Sequence, residues 1–128
     1  MTHHTSSPVK LKRIYEAPAR SDGYRVLVDR IWPRGVSKEA ASLHAWLKDV
    51  APSTELRGRF SHDPSKWSSF KREYLRELEQ HEDRLAELIE LCARGTVTLV
   101  FAARDIEHNN AVALKEHLDS RLESRRRA

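Results

Sequence analysis

The sequence predicts a small α/β protein with one layered domain, in which helices flank a mainly parallel sheet. The chain has 128 residues, the length of one ordinary domain. Two nearly continuous apolar runs, residues 26–28 and 96–102, are typical of strands that are buried on both faces. Helical patterns separate the two runs, and a crossover of that length joins parallel strands.

The first elements are a strand, a loop and a second strand. Residues 9–15 alternate apolar and basic side chains, which predicts a half-buried strand. Residues 17–23 contain a proline and a Ser-Asp-Gly turn and are predicted as a loop. Because this link is too short for a helical crossover, the position of the first strand in the sheet stays open. The second strand is predicted over residues 24–31, before Pro33 and Gly35 end it.

Two helices are predicted in the middle of the chain. Ser37 is a suitable N-cap for the first, which continues through apolar residues at helical spacing: Leu43, Leu47 and Val50. The pair Asp63-Pro64 is a start signal for the second, because an acidic cap is followed by proline in the first turn. This second helix carries a core stripe of Trp67, Phe70, Tyr74 and Leu78.

The last third of the chain predicts a helix, a strand and a helix. Residues 82–93 have one apolar face, on which Cys92 reads as a small core residue. A strand over residues 96–102 and a helix from Ala111 to Leu122 follow. The predicted organisation is a flexible N-terminus over residues 1–7, one domain over residues 8–122 and a basic tail over residues 123–128.

Composition narrows the classes of function. The net charge is +4, which favours an anionic partner such as a phosphorylated metabolite or nucleic acid, although a merely solvated surface gives the same value. The chain has one cysteine, no apolar signal segment and no apolar run of membrane-spanning length. We therefore expect a cytoplasmic protein that makes no membrane contact.

Several cofactor and metal chemistries lack their motifs. The sequence has no glycine-rich dinucleotide fingerprint and no phosphate-binding loop with a Gly-Lys-Ser ending. It has neither paired cysteines nor a closely spaced histidine set for zinc. No cofactor and no metal are predicted.

A polar corner follows the second strand, at residues 29–38. Its cations Arg30, Arg34 and Lys38 lie between a buried strand and a helix N-terminus, where backbone N–H groups attract anions. The arginine fork fits phosphate or carboxylate oxygens, and Gly35 permits a tight turn. Asp29 and Trp32 complete the corner. The alternative is structural: Asp29 pairs with a nearby arginine, and Trp32 plugs the sheet edge.

A second polar corner follows the later strand, at residues 102–111. Arg104 joins the cations of the first corner if the two strands are neighbours. His108 is suited to acid–base chemistry near neutral pH, and Asn109 brings an amide to the start of the last helix. The alternative is again structural, with Asp105 or Asn109 as a helix cap and His108 as part of the packing. In the middle segment His62 is a secondary candidate for lining the site.

Three hypotheses follow from these corners. In the leading one they form one pocket for a small anionic ligand bearing phosphate or carboxylate, with Arg30, Arg34 and Arg104 as its clamp. If the pocket is catalytic, His108 or Asp29 carries the proton. The second hypothesis is a non-catalytic module that binds nucleic acid or protein. In the third, Asp29 and Asp105 hold the arginines in a closed, buried network.

The two corners also resemble a known family. The stretches VDRIWPRG, LKDVAPS, HDP and DIEHNN together resemble the bacterial family called domain of unknown function 488, in its short, YeaO-like branch. The resemblance covers residues 12–118 and implies a small cytosolic α/β protein, but it implies no reaction. It places these residues at motif positions: Asp29, Arg30, Trp32, Pro33, Arg34, Gly35, His62, Asp63, Arg104, Asp105, His108 and Asn109.

The sequence departs from the longer branch of that family at the second corner. The longer branch typically carries cysteines there, whereas Phe101 stands at the first of those positions and residues 109–111 stand where a Cys-His-Arg run would be. Thiol or metal chemistry of that branch is therefore not carried over to this chain.

Overall fold

A four-stranded parallel sheet forms the centre of the protein. The structure is a computed structural model and describes residues 7–127. The strands are β1 (Val9–Arg13), β2 (Tyr24–Leu27), β3 (Ala45–Trp46) and β4 (Val97–Phe101). Their order across the sheet is β1-β4-β2-β3, and every pair is parallel. The prediction of a small α/β domain with a mainly parallel sheet is confirmed.

Five α-helices connect and cover the strands in the described part of the chain. They are α1 (Lys38–Ala41), α2 (Thr54–Phe60), α3 (Trp67–Leu78), α4 (Glu82–Arg94) and α5 (Asn110–Arg127). Single 3-10 turns occur at Arg20–Asp22, Lys48–Val50, Pro64–Lys66 and Glu79–His81. None of the helices within residues 7–127 is long and apolar enough to cross a membrane.

The main core lies between the sheet and the longer helices. Alternate strand residues such as Val26, Leu99 and Phe101 pack there against the apolar faces of α3, α4 and α5. All five residues of β4 are buried, because this strand has a neighbour on each side and layers on both faces. Cys92 is buried in the same core, as predicted, and burial raises the pKa of its thiol to about 11.

The link between β1 and β2 crosses the opposite face of the sheet. It passes over β4 and contains the 3-10 turn but no α-helix. Gly23 ends this link with φ +63°, and a side chain there would meet the carbonyl oxygen of Thr96 at 2.2 Å. The link places Ile14 against Leu27 and Val100 in a second, smaller core. This explains how a link too short for a helix still joins two parallel strands.

A buried ion pair anchors the link to the sheet. Arg25 is 4% exposed and donates from Nη1 to Oδ2 of Asp22 at 2.8 Å. The same guanidinium donates to the carbonyl of Ala41 at 2.8 Å and to that of Ser42 at 3.2 Å. Lys12 adds a second cation, 3.1 Å from Asp22. Burial opposes ionisation of Asp22, but the N–H of Ala19 and the two cations outweigh it and lower the pKa of the carboxyl group.

The helix predicted from Ser37 through Val50 is wrong beyond its first turn. Ser37 does cap α1, its hydroxyl accepting from the N–H of Ala40, but the helix ends at Ala41. The chain then forms β3, and the N–H of Leu47 donates to the carbonyl of Leu27. Pairing with the open edge of β2 satisfies backbone groups that a continued helix would leave without strand partners.

Other boundaries differ less. β2 ends at Leu27 rather than at residue 31, and Asp63 caps the short 3-10 turn that precedes α3. Helix α5 continues through Arg127, so residues 123–127 of the predicted tail extend the helix. Of the predicted flexible N-terminus, residues 1–6 lie outside the described residues.

Candidate functional site

The two polar corners lie at the same end of the sheet, beyond the carboxyl ends of β2 and β4, because these strands are parallel neighbours. After β2 the chain continues towards β3, whereas after β4 it enters α5, which packs on β1 and β4. The chain therefore leaves the two strands in opposite directions. In open α/β sheets, ligands bind beyond the carboxyl ends of strands that diverge in this way, so the space beyond the ends of β2 and β4 is the candidate crevice.

Asp29 ties the two corners together at the ends of β2 and β4. Its Oδ2 accepts a hydrogen bond from the N–H of Ala102 at 2.9 Å, and its Oδ1 accepts from Nδ2 of Asn110 at 3.2 Å. The amide of Asn110 also donates to the carbonyl of Val28 at 2.9 Å. The sequence placed an amide at the start of the last helix, but only the fold shows that Asn110 reaches the first corner.

The electrostatic state of Asp29 is set mainly by burial. Burial raises the pKa of its carboxyl group, and this effect prevails over the N–H of Ala102, the amide of Asn110 and the charge of Arg57, all of which favour the ionised form. Asp29 thus takes up a proton more readily than an exposed aspartate does.

Arg57 is the cation that acts on Asp29 through space. It lies on α2, and its side chain is exposed. Within the described residues its guanidinium has no recorded hydrogen bond or ion pair. Arg57 was not predicted as part of the clamp, because nothing local in the sequence indicates that α2 approaches the end of β2.

Arg30 is already bonded to the protein backbone. Its Nε donates to the carbonyl of Pro52 and its Nη2 to that of Ala51, each at 3.2 Å. These bonds fasten the loop before α2 to the first corner. Two N–H groups of the Arg30 guanidinium therefore already donate to backbone carbonyl oxygens.

Trp32 and Gly35 shape the loop that follows Arg30. The indole Nε1 of Trp32 donates to the carbonyl of Val36 at 2.6 Å, and its ring meets Trp46 edge-on with centroids 5.3 Å apart. Trp32 packs with the smaller core, on the face of the sheet that the link crosses. Gly35 has φ +78°, a conformation that glycine adopts without strain.

Arg34 lies on this loop with an exposed side chain. Its carbonyl accepts a hydrogen bond from the hydroxyl of Tyr15 at 3.3 Å, which places the loop beside the end of β1. The hydrogen bonds of Arg30 point instead to the loop before α2. The two arginines of the first corner therefore lie in different surroundings. Arg30 binds the loop before α2, whereas Arg34 lies beside the end of β1.

Replacement of Arg34 by alanine is expected to leave the free energy of unfolding within about 0.5 kcal/mol of wild type, since an exposed side chain is lost while the Tyr15 bond uses the backbone. Urea unfolding followed by circular dichroism measures the change. A loss of several kcal/mol would restore the hypothesis of a closed network around this arginine.

The second corner is an organised turn around Asp105. Its Oδ1 accepts from the N–H groups of Glu107 and His108 at 2.9 and 3.0 Å, and its Oδ2 lies 3.1 Å from Nδ1 of His108. These contacts, led by the N–H of Glu107, lower the pKa of the Asp105 carboxyl group. Asn109 is buried and caps α5, with its Oδ1 accepting from the N–H of Val112 at 3.0 Å. Asp105 and Asn109 thus have structural roles whatever else they do.

A series of ring contacts connects the two predicted histidines, His108 and His62. His108 meets Trp67 edge-on at 5.4 Å, Trp67 lies 5.8 Å from Phe60, and Phe60 lies 6.5 Å from His62. His62 is exposed and has φ +57°. The secondary candidate is thus linked to His108 only through Trp67 and Phe60.

The closed network of the third hypothesis is absent from the part of the chain that the structure describes. No ion pair recorded there joins Asp29 or Asp105 to Arg30, Arg34 or Arg104. Arg104 itself is exposed. Among residues 7–127, no group of three or more histidine, cysteine or carboxylate side chains could hold a metal ion.

Fold and corners together define a small parallel α/β protein with polar residues at the carboxyl ends of its central strands. A family model described as the inactive DUF488-N3 subclade matches residues 8–128, and the chain belongs to this family. The resemblance read from the corner motifs is thereby confirmed.

Three similar proteins are named as uncharacterized. The chain is 39% identical to the uncharacterized protein YeaO of Escherichia coli (strain K12) over 112 residues, which cover 88% of this chain and 97% of that protein. It is 43% identical over 114 residues to the uncharacterized proteins Mb3100c of Mycobacterium bovis and Rv3073c of Mycobacterium tuberculosis, covering 88% of this chain and 95% of each. No solved structure matches the chain.

Proposed function

We propose that the crevice between β2 and β4 binds a small anionic ligand, bearing phosphate or carboxylate, without transforming it. The observation that carries this proposal is the meeting of the two corners at Asp29, whose carboxyl group accepts from the N–H of Ala102 and from the amide of Asn110. This junction lies beyond the carboxyl ends of two parallel strands, where α/β proteins bind ligands. The exposed side chain of Arg57 supplies positive charge that acts on the same carboxyl group.

The cationic side of the proposed site consists of Arg57 and Arg104. Both side chains are exposed, so an anion reaches them without breaking an existing bond. Arg30, Trp32 and Gly35 support the walls of the site through the loop contacts described above. His108, and His62 beyond it, supply ring nitrogens at the outer side. A planar guanidinium can bind two oxygens of a phosphate or carboxylate at once.

Asp29 makes the proposed binding dependent on pH. An ionised carboxylate would repel the ligand, but the raised pKa of Asp29 makes its protonation easier, and the neutral acid can donate a hydrogen bond to a ligand oxygen. Affinity for the anion should therefore increase as the pH falls through the raised pKa of Asp29.

The absence of catalysis in this proposal is supported by the family model that matches the chain, which is described as an inactive subclade.

Titration with inorganic phosphate tests the proposal. Replacement of Arg57 by alanine should weaken phosphate binding by at least about tenfold, because charge-assisted hydrogen bonds to the ligand are lost. Arg94→Ala is the matched control. Arg94 is exposed at the C-terminus of α4, just before the first residue of β4, and so lies at the opposite end of this strand from the proposed site. Equal phosphate affinity in both variants, measured by NMR titration, would contradict the assignment of Arg57.

The nucleic-acid alternative rests on the net charge of +4. It requires affinity for DNA or RNA that falls steeply with salt concentration, since phosphate contacts release counterions. Cytoplasmic location likewise stays a prediction from the sequence.

A further inference from the structure

A groove of about 420 Å³ lies between the edge strand β3 and helix α4. β3 is the last strand of the sheet, so β2 is its only strand neighbour in the described part of the chain. The floor of the groove is apolar. Leu47 and Leu91 pack against the main core but remain half-buried, and Ala45 and Ala86 line the groove with small side chains. The volume is within the range of binding clefts in proteins.

The side chains in and around β3 face different layers. Ala45 lines the groove, whereas Trp46 packs with the smaller core on the opposite face of the sheet. The Nζ of Lys48 lies 4.4 Å from the centre of the Trp46 ring, so this cation is directed to Trp46 rather than to the groove. His44, which also lines the groove, meets the ring of Tyr24 edge-on with centroids 4.9 Å apart.

Carboxylates line the groove along α4. Asp83, Glu87 and Glu90 are exposed and follow one another at spacings of four and three residues, which places them on one face of the helix. Glu87 accepts from the guanidinium of Arg84 at 2.7 Å. Asp83 and Glu90 have no ion pair recorded among residues 7–127, so their charges are available to a partner.

The charge of the groove is opposite to that of the whole chain. Its lining has three carboxylates and one guanidinium group, that of Arg94 at the end of α4. Arg84 lies beside the groove, but it is shared between Glu87 at 2.7 Å and Asp49 at 3.3 Å. With these neighbours included, four carboxylates stand against two guanidinium groups, whereas the chain has a net charge of +4. The groove is therefore complementary to a partner that carries positive charge.

We infer that the groove between β3 and α4 binds an extended segment of another protein that carries lysine or arginine at alternate positions. The segment pairs with the open side of β3, as partners that add a strand to a sheet edge do. Alternate side chains of a strand point to one face, here towards α4. Their methylene stems cover Ala45, Leu47 and Ala86, and their charged ends reach Asp83 and Glu90.

Two other occupants fit less well. The carboxylates along α4 repel the phosphates of a nucleic acid. A symmetric pair of copies joined at β3 would bring the same row of carboxylates from each copy together. The groove shares no lining residue with the proposed anion site, so this inference does not depend on that site.

A labelled peptide in which lysine and threonine alternate tests the inference with the full-length protein. Fluorescence anisotropy should show binding, and NMR should show shifted amide signals at Ala45, Trp46 and Leu47. Ala86→Leu should bind the peptide at least about tenfold more weakly, because the larger side chain fills the groove. Ala93→Leu is the matched control, an exposed alanine of α4 outside the lining, and should bind like wild type.

A second pair of variants tests the charges. Asp83→Asn with Glu90→Gln should weaken peptide binding at least about fivefold, because two carboxylates that face the lysines lose their charge. Glu39→Gln with Glu55→Gln changes the net charge equally, at exposed positions on α1 and α2, and should bind like wild type.

The inference would be overturned by no binding of the lysine–threonine peptide, by equal binding of a glutamate–threonine peptide, or by unchanged affinity in Ala86→Leu. Equal weakening by both pairs of charge changes would also overturn it, as would equal binding of a peptide whose backbone nitrogens are methylated and cannot donate to β3. Groove signals that shift with protein concentration alone would instead identify a second copy of this chain as the occupant.

Phosphate affinity separates this test from that of the anion site, because the groove variants should bind phosphate like wild type. A melting curve of each variant establishes that it is folded. Ala86→Leu places a good helix former at an exposed helical position, so its fold should be kept.

Discussion

Replacement of Arg25 by alanine is expected to lower the free energy of unfolding by about 3–5 kcal/mol, the cost of removing one partner of a buried ion pair. Arg25 is 4% exposed and binds Asp22 together with the carbonyls of Ala41 and Ser42. Its loss leaves the buried carboxylate of Asp22 with one cation, Lys12, and deprives the carbonyls of their donor. The resulting loss is a large fraction of the total stability of an ordinary domain.

Urea unfolding of Arg25→Ala beside Arg20→Ala measures this effect. Arg20 is exposed and lies in the same link, so its replacement should change the free energy of unfolding by no more than about 0.5 kcal/mol. If the two variants unfold at the same urea concentration, the ion pair does not anchor the link. The double variant Asp22→Asn, Arg25→Met should lose less than the sum of its single changes, because the two side chains contact each other.

Replacement of Asp29 by alanine is expected to cost about 2–4 kcal/mol of folding free energy, the second of the large effects. The N–H of Ala102 and the amide of Asn110 each lose an acceptor, and an unsatisfied donor in a half-buried place costs about 1–3 kcal/mol. Thermal or urea unfolding gives the change. A loss below about 0.5 kcal/mol would show that Asp29 does not hold the two corners together.

The pH dependence of stability in Asp29→Asn isolates the charge of Asp29, because the asparagine amide does not titrate, while the one hydrogen bond that its NH₂ group cannot accept is lost at every pH. Since the pKa of Asp29 is raised in the folded protein, the folded state binds the proton more tightly than the unfolded state, whose aspartate has a pKa of about 3.9. The contribution of this group to stability is therefore greatest below a pH of about 4 and declines as the pH rises through the raised pKa. Relative to wild type, Asp29→Asn should become more stable over that interval; a constant difference would contradict the direction of the shift.

The sequence predicted best those elements whose pattern is local. The continuous apolar runs of β2 and β4 predicted that both strands are central in the sheet, which they are. The apolar stripe at helical spacing predicted α3, with these residues: Trp67, Phe70, Tyr74 and Leu78. The helix through Val50 was predicted wrongly, because local spacing does not show that the edge of β2 needs a partner. Ala45 and Trp46 pair with Val26 and Leu27 instead.

The candidate site was predicted at the level of its location but not of its contacts. That the two corners adjoin followed from the parallel pair. The bonds of Asp29 to Ala102 and Asn110 depend on the order of strands, which the sequence does not state. The buried pair of Asp22 and Arg25 was missed as well. Its signal was an arginine within an otherwise apolar strand, three residues after an aspartate.

The central claim is that the crevice between β2 and β4 is the place where this protein binds its ligand. Mapping of backbone amide shifts during titration with inorganic phosphate tests it most directly. The account predicts saturable shifts at Asp29, Ala102, His108 and Asn110 that become larger as the pH falls through the raised pKa of Asp29. Shifts confined to other surfaces, or shifts at these amides that persist unchanged in Arg57→Ala, would contradict it.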